Sequence, residues 1–195
     1  MMSAAIPAID DRPPLPGDLA MWFFILAELT VFAALFLAFA YARLWHAAEF
    51  AAGQTLIDRG AGAINTVLLI TSSAFVVQAV ARIRAGDRRG CGRWLVAAMA
   101  TGLGFVAFKS AGFAQAFAAG VTLDGGVFPM FYLLLTGFHF LHVLLGLVIL
   151  AAVWLKNRAG AYSAAEHTGV ETGASYWHMV DLVWIVLFPL VYVLR

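Results

Sequence analysis

The sequence predicts an all-α protein, a polytopic membrane bundle of five transmembrane helices. Three observations predict it. Of the 195 residues, 63% are hydrophobic and only 12% are Asp, Glu, Lys or Arg, about half the charged share usual in soluble domains. The mean hydropathy is +0.89. Five segments each supply the roughly 20 apolar residues that a helix needs to cross hydrocarbon. Helices follow because isolated strands leave backbone groups unsatisfied in lipid, and the short alternating segments of a membrane barrel do not occur. A disordered chain, a disulfide-stapled secreted domain and an ordinary soluble core are excluded. The net charge of +1 leaves no basic excess for nucleic acid. The single cysteine, Cys91, has no internal disulfide partner.

Residues 1–18 read as a Pro-rich tail, with Pro7, Pro13, Pro14 and Pro16, and residues 19–195 as a single membrane domain. The first span covers residues 19–42. It is not a signal peptide, because no basic region precedes it and it is too long for the apolar core of one. The second and third spans cover 61–81 and 94–119. The fourth, 127–155, carries Pro129 near its start, where a missing N–H costs little. The fifth, 175–194, contains Pro189, which is expected to kink the helix and free the carbonyl of Ile185. No internal repeat is visible, so an inverted-repeat transporter gains no support.

Orientation is read from the basic residues of the loops. Arg12, Arg82, Arg84, Arg88, Arg89, Arg93, Lys156 and Arg158 fall on the side shared by the tail and the second and fourth loops. Only Arg43, Arg59 and Arg195 fall on the other. The N-terminus is therefore expected inside and the C-terminus outside, with the tail and the loop around Cys91 cytoplasmic.

An ionisable side chain in hydrocarbon costs at least ~2.5–3.5 kcal/mol on insertion scales, so each one requires an explanation. Glu28 lies well inside the first span, about 13 Å deep at 1.5 Å per residue. Lys109 is a buried cation in the outer half of the third span. His139 and His142 sit near the middle of the fourth, and His178 and Asp181 in the inner part of the fifth. Both of these pairs are spaced i, i+3 and share a helix face. Gly146, one turn beyond His142, leaves room for another helix to approach.

Each group has two readings. Glu28 serves either as a structural hydrogen-bonding group or in proton handling. His139 and His142 serve in interhelical hydrogen bonds or as metal or haem ligands, and a bis-histidine haem across His142 and His178 stays open. His178 and Asp181 read as a packing network, and Tyr176, Trp177 and Trp184 as belt or packing aromatics. Asn65, Thr66, Ser72, Ser73 and Gln78 read as interhelical polar contacts. There is no Cys-x-x-Cys-His, no Cys cluster and no Gly-x-Ser-x-Gly. The residues alone thus suggest no catalytic set and no self-sufficient redox centre.

Three ordered motifs carry a family resemblance. Met21-Trp22-Phe23-Phe24-Ile25-Leu26-Ala27-Glu28 resembles a helix of the haem-copper oxidase subunit III family that contains a buried glutamate. Leu135-Thr136-Gly137-Phe138-His139-Phe140-Leu141-His142-Val143 resembles its Thr-Gly-Phe-His-x-x-His-Val signature. Tyr176-Trp177-His178-Met179-Val180-Asp181-Leu182-Val183-Trp184 resembles its Tyr-Trp-His-x-Val-Asp-x-x-Trp signature. The resemblance covers nearly the whole chain after residue 16, in the short five-helix form. Lys109 and the ending Leu187-Phe188-Pro189-Leu190-Val191-Tyr192-Val193-Leu194-Arg195 lean toward the NorE-type branch, associated with nitric oxide reductase. The acidic residue expected soon after that lysine is absent, and Gly112 and Phe113 stand there instead.

The resemblance implies a non-catalytic accessory subunit of a respiratory complex in the bacterial inner (cytoplasmic) membrane. Such a subunit has no haem, copper or other metal of its own; haem and copper or iron belong to the catalytic subunit beside it, that of a haem-copper oxidase or a nitric oxide reductase. It holds phospholipid in a cleft and supports proton uptake and active-site stability. Glu28 occupies the place of the family's carbodiimide-reactive carboxylate, and we expect it to bond a histidine of the fourth or fifth span. Trp22, Trp177 and Trp184 would line the lipid cleft or pack the bundle. The alternative is a haem- or metal-binding membrane protein using His139, His142 and His178.

Overall fold

The computed structural model describes residues 17–194. Most of the Pro-rich tail, with Arg12, and the terminal Arg195 lie outside the described residues. Six α-helices follow in order: α1 (Leu19–Trp45), α2 (Ala47–Gly53), α3 (Arg59–Arg84), α4 (Arg88–Ala118), α5 (Val127–Ala159) and α6 (Thr168–Phe188), which ends in a π-helical turn at Pro189–Val193. Every helix but α2 is long and apolar enough to cross a membrane.

Helices α3 and α4 start before the apolar windows because acidic residues cap them. Asp58 accepts from the amides of Gly60 and Ala61 at the start of α3. Asp87 accepts from the Gly90 amide at 2.7 Å at the start of α4. A side-chain oxygen at this position satisfies amides that lack an intrahelical acceptor. Hydropathy does not register caps, so α4 begins at Arg88 rather than at Trp94. The helix α2 is too short for any hydropathy window, yet it buries Phe50. At Pro189 the α-helix widens to a π-turn, in which the Leu194 amide donates to the Pro189 carbonyl at 2.9 Å. The proline at which a kink was expected is thus the first residue of a wider turn.

Helices α3, α4, α5 and α6 pack around one another as a ring, and α1 lies outside against α5 and α6. The ring closes over Trp177, 1% exposed, which α6 presses between two glycines. A Cβ at Gly102 of α4 would fall 2.9 Å from this indole, and one at Gly146 of α5 would fall 2.8 Å from it. Gly146 therefore seats a ring of α6 rather than admitting a helix backbone. The outer face of α1 is apolar and uncovered, with Leu37 72% and Leu44 78% exposed.

The ends of the helices are tied together. The Gly17 amide donates to Glu171 at 3.2 Å, and Arg84 donates to the same carboxylate at 2.7 Å. The start of α1, the end of α3 and the start of α6 therefore share one end of the bundle, as an alternating arrangement of five spans requires.

Candidate functional site

The polar residues predicted from sequence fall into separate clusters inside the bundle. The first joins α1 to α5. Glu28 Oε2 lies 3.0 Å from His142 Nε2, and His142 Nδ1 lies 2.8 Å from the Phe138 carbonyl of the preceding turn. A carbonyl can only accept, so Nδ1 must carry a hydrogen. Nε2 then either donates as imidazolium to a carboxylate or accepts from a carboxylic acid. One proton lies between the two side chains in both cases, and the pair is neutral overall in both. That is the electrostatic form in which a carboxyl and an imidazole are tolerated at membrane depth. Phe32 and Phe138 wall the pair, their ring centroids 5.2 Å and 4.6 Å from the imidazole. Tyr176 of α6 donates to the His142 carbonyl at 3.2 Å, linking the third helix.

His139, one turn away, is in a different environment. It is fully buried, with its ring 5.1 Å from Trp184 and edge-on to Phe105 at 5.8 Å. Neither ring nitrogen has a hydrogen-bond partner among the described residues. The i, i+3 spacing gave the two histidines one face, but Glu28 of α1 reaches only His142.

A second cluster joins α3 to α6. Ser73 Oγ lies 2.6 Å from His178 Nδ1, and Asp181, one turn further along α6, is 7% exposed. Among the other polar residues of the second span, Ser72 donates to the Ala98 carbonyl of α4 at 2.8 Å, and Thr66 accepts from the Trp184 indole at 2.9 Å. Gln78, expected among these contacts, is instead exposed.

Lys109 forms the third cluster. It is 2% exposed. Its ammonium donates to the Tyr192 hydroxyl at 2.8 Å and to the Tyr132 hydroxyl at 3.4 Å. It lies 4.3 Å from the ring of Phe113 and 4.9 Å from that of Tyr132. No carboxylate lies within 4.0 Å of it among the described residues. Phe113 stands where an acidic partner was expected, and its π face supplies attraction that a carboxylate otherwise would. A cavity of about 30 Å³ adjoins the ammonium and is bordered by Asn65, Gln115 and the two tyrosines.

Trp177 and Trp184, 1% and 0% exposed, lie in the core of the bundle, and Trp22 is half-buried on α1. The three histidines are not brought together. His142 uses both nitrogens, His178 meets Ser73, and His139 is boxed by aromatic rings. Among the described residues there is no group of three or more His, Cys, Asp or Glu able to hold a metal ion. A haem iron on His142 Nε2 would have to displace the bond to Glu28, whereas the Nδ1 bond to the Phe138 carbonyl could stay.

Sequence reasoning missed Gln54, Tyr132 and Tyr192. Gln54 is 2% exposed, and its amide donates to the carbonyls of Val191 and Leu194 at 3.0 and 2.8 Å. These are carbonyls at the end of α6, which would otherwise lack a donor. The signal available was an uncharged but strongly polar side chain just beyond an apolar span.

Comparison with known proteins matches this arrangement to one family. The profile of the family described as "Cytochrome c oxidase subunit III" matches residues 17–195. The chain is similar to a cytochrome c oxidase subunit 3 of Thermostichus vulcanus, 34% identical over 177 residues, covering 90% of this chain and 86% of that one. One of Synechocystis sp. is 37% identical over 172 residues, covering 88% and 72%. One of Marchantia polymorpha is 32% identical over 175 residues, covering 87% and 65%.

Proposed function

The chain belongs to the cytochrome c oxidase subunit III family, and from that premise we propose that it is the accessory subunit that steadies the catalytic subunit of a haem-copper oxidase in a bacterial cytoplasmic membrane. The observation that carries the proposal is the Glu28–His142 pair at 3.0 Å. It holds one proton inside the bundle and ties the outermost helix α1 to α5. The uncovered apolar face of α1 offers a surface for lipid or for the neighbouring subunit. The haem and copper belong to that neighbour, and this chain contributes support to proton uptake and phospholipid binding. The Arg-rich end of the bundle faces the cytoplasm in this reading, following the charge bias of the loops.

The test is co-purification followed by sustained turnover. The wild-type complex should retain this chain and keep its activity through repeated turnover. Glu28→Gln preserves shape and hydrogen bonding but cannot share a proton with His142. It should loosen the bundle or shorten the turnover lifetime of the complex while leaving its initial rate near native. An unchanged thermal midpoint together with an unchanged lifetime would remove Glu28 from the proposal.

Lys109 and the C-terminal ending favour a second reading, association with a nitric oxide reductase. Isolation of the partner decides it: a catalytic subunit with copper or one with non-haem iron. The haem-binding alternative predicts a Soret band in the purified chain that disappears in His142→Ala.

A further inference from the structure

The accessory role leaves Lys109 unused. A buried ammonium is ordinarily paired with a carboxylate, or else it is relieved of its charge. Lys109 has no carboxylate within 4.0 Å among the described residues. The cavity of about 30 Å³ beside it has Lys109, Tyr132 and Tyr192, all buried, at its floor. Its lining also includes Asp58 and Gln115, both exposed. Asp58 precedes α3, and Gln115 lies in the last turn of α4. The cavity therefore leads from the amine toward the end of the bundle opposite the arginine-rich loop. We propose that Lys109 exchanges a proton with the aqueous phase at that end, through this cavity, and so alternates between ammonium and amine.

Its hydrogen-bond partners suit both forms. As ammonium it donates to the hydroxyl oxygens of Tyr192 at 2.8 Å and Tyr132 at 3.4 Å. As amine it carries a lone pair, which a phenol can satisfy because a hydroxyl both accepts and donates. A carboxylate only accepts, so it would hold the charged form and oppose release. Phe113, 4.3 Å from the ammonium across its ring, stands where such a carboxylate was expected. The step is a simple proton transfer. One N–H bond breaks, its electron pair stays on Nζ, and the proton passes to water in the cavity. Tyr192 then turns its O–H toward Nζ.

The path has the size and the polarity for this. One water needs about 10–15 Å³ of such space, so the cavity has room for about two. At the rim, Asp58 caps α3 through one oxygen only. Its Oδ1 accepts from Gly60 at 2.7 Å and from Ala61 at 3.2 Å, and Oδ2 takes no part in the cap. A carboxylate so placed can collect the proton and pass it to bulk water.

The other elements around Lys109 offer no rival exit. Trp184 of α6 lies 6.0 Å away, and α3 presents the uncharged Asn65 to the cavity. On α5, Tyr132 and His139 are the titratable groups close enough to feel the charge. His139 is fully buried, and neither of its ring nitrogens has a hydrogen-bond partner among the described residues. No chain of hydrogen bonds therefore runs through it from Lys109 to the Glu28–His142 pair. A small anion is the other species that an unpaired ammonium attracts, and Asp58 at the rim repels it. The proposal rests on the bundle alone and not on the identity of the catalytic partner.

The experiment is nuclear magnetic resonance of the full chain in lipid vesicles, with the lysines labelled at Nζ by the heavy nitrogen isotope. The sequence contains only two lysines, Lys109 and Lys156, and Lys156 is exposed at the other end of the bundle, where it serves as the reference. The Lys109 signal should move reversibly between the ammonium and amine positions as the pH is changed. In sealed vesicles that hold the protein in one orientation, it should follow the pH on the Asp58 side and ignore the pH on the arginine side. Asp58→Asn keeps an acceptor for the cap but cannot take up the proton. It should slow exchange of the Nζ hydrogens with water by about a hundredfold, the lower end of what a positioned proton acceptor contributes. Gly112→Val puts a side chain into the cavity lining, where a Cβ meets no atom within 4 Å, and should block the exchange without unfolding the bundle. A Lys109 signal that stays in one form while Lys156 titrates would overturn the proposal. So would a response to the arginine side, or unchanged exchange in either folded variant. A signal that follows chloride concentration and not pH would mark an anion site, and would also overturn it.

Discussion

Removing Glu28 and His142 singly and together measures what joins α1 to the bundle. The two side chains meet at 3.0 Å. They are 20% and 9% exposed, so water cannot fully replace either partner. A hydrogen bond to a charged group contributes about 1.5–3 kcal/mol. Glu28→Ala loses that bond and strands the Nε2 of His142. His142→Ala loses the same bond and also vacates the space beneath Phe32 and Phe138. The double variant Glu28→Ala/His142→Ala loses the bond once. Unfolding free energies of the four proteins should therefore yield a coupling of about 1.5–3 kcal/mol, the signature of residues in direct contact. The assay is denaturation from a mild detergent, followed by tryptophan fluorescence. A coupling below about 0.5 kcal/mol, the ordinary additivity error for distant sites, would refute the reasoning. It would mean that apolar packing alone holds α1.

Three further outcomes follow from the packing. Gly146→Ala places a Cβ 2.8 Å from the buried Trp177 ring, and overpacking of this kind should cost about 1–3 kcal/mol, read as a lowered thermal midpoint. Lys109→Met keeps the volume inside the aromatic cage and removes a cation without a carboxylate partner; its stability should match or exceed native, whereas Lys109→Ala should lose about 2 kcal/mol or more through a cavity and a stranded hydroxyl. Gln54→Leu removes two hydrogen bonds to the end of α6, so hydrogen exchange of residues 189–194 should accelerate while the amides of α4 stay protected.

Hydropathy made the five spans legible, because each is a long apolar run. It misplaced their ends where capping by Asp58 and Asp87 extends helix into polar sequence, and it could not detect α2, which spans only Ala47–Gly53. The cost of burying charge singled out Glu28, His142, His178, Asp181 and Lys109. What surrounds each was legible only where one helix supplies it. The bond from His142 to the Phe138 carbonyl is local, whereas the Lys109 cage takes Phe113 from α4, Tyr132 from α5 and Tyr192 from the π-turn. No spacing within a single helix encodes such a meeting. Helix periodicity placed His139 and His142 on one face, and tertiary packing gave one a carboxyl and the other a box of rings. The arginines of the second loop were read as determinants of topology, and the tie that Arg88 makes to the Asn157 carbonyl of α5 at 3.1 Å appears only in the folded bundle.

The pairing of α1 with α5 also has a consequence in time. Glu28 and His142 are 114 residues apart in the chain. At 5–20 residues per second, the carboxyl is synthesised about 10 s before its imidazole. During that interval α1 must enter the bilayer without the partner that later neutralises it, against an insertion cost of a few kcal/mol for an acidic residue. Its most apolar 18-residue stretch has a mean hydropathy of 2.4, close to the 2.3 of α5, and that apolar run carries α1 into the bilayer while the histidine is missing. The span that carries Glu28 is thus apolar enough to be inserted alone, and arrival of α5 converts a temporary load on the membrane into the joint that keeps α1 in place.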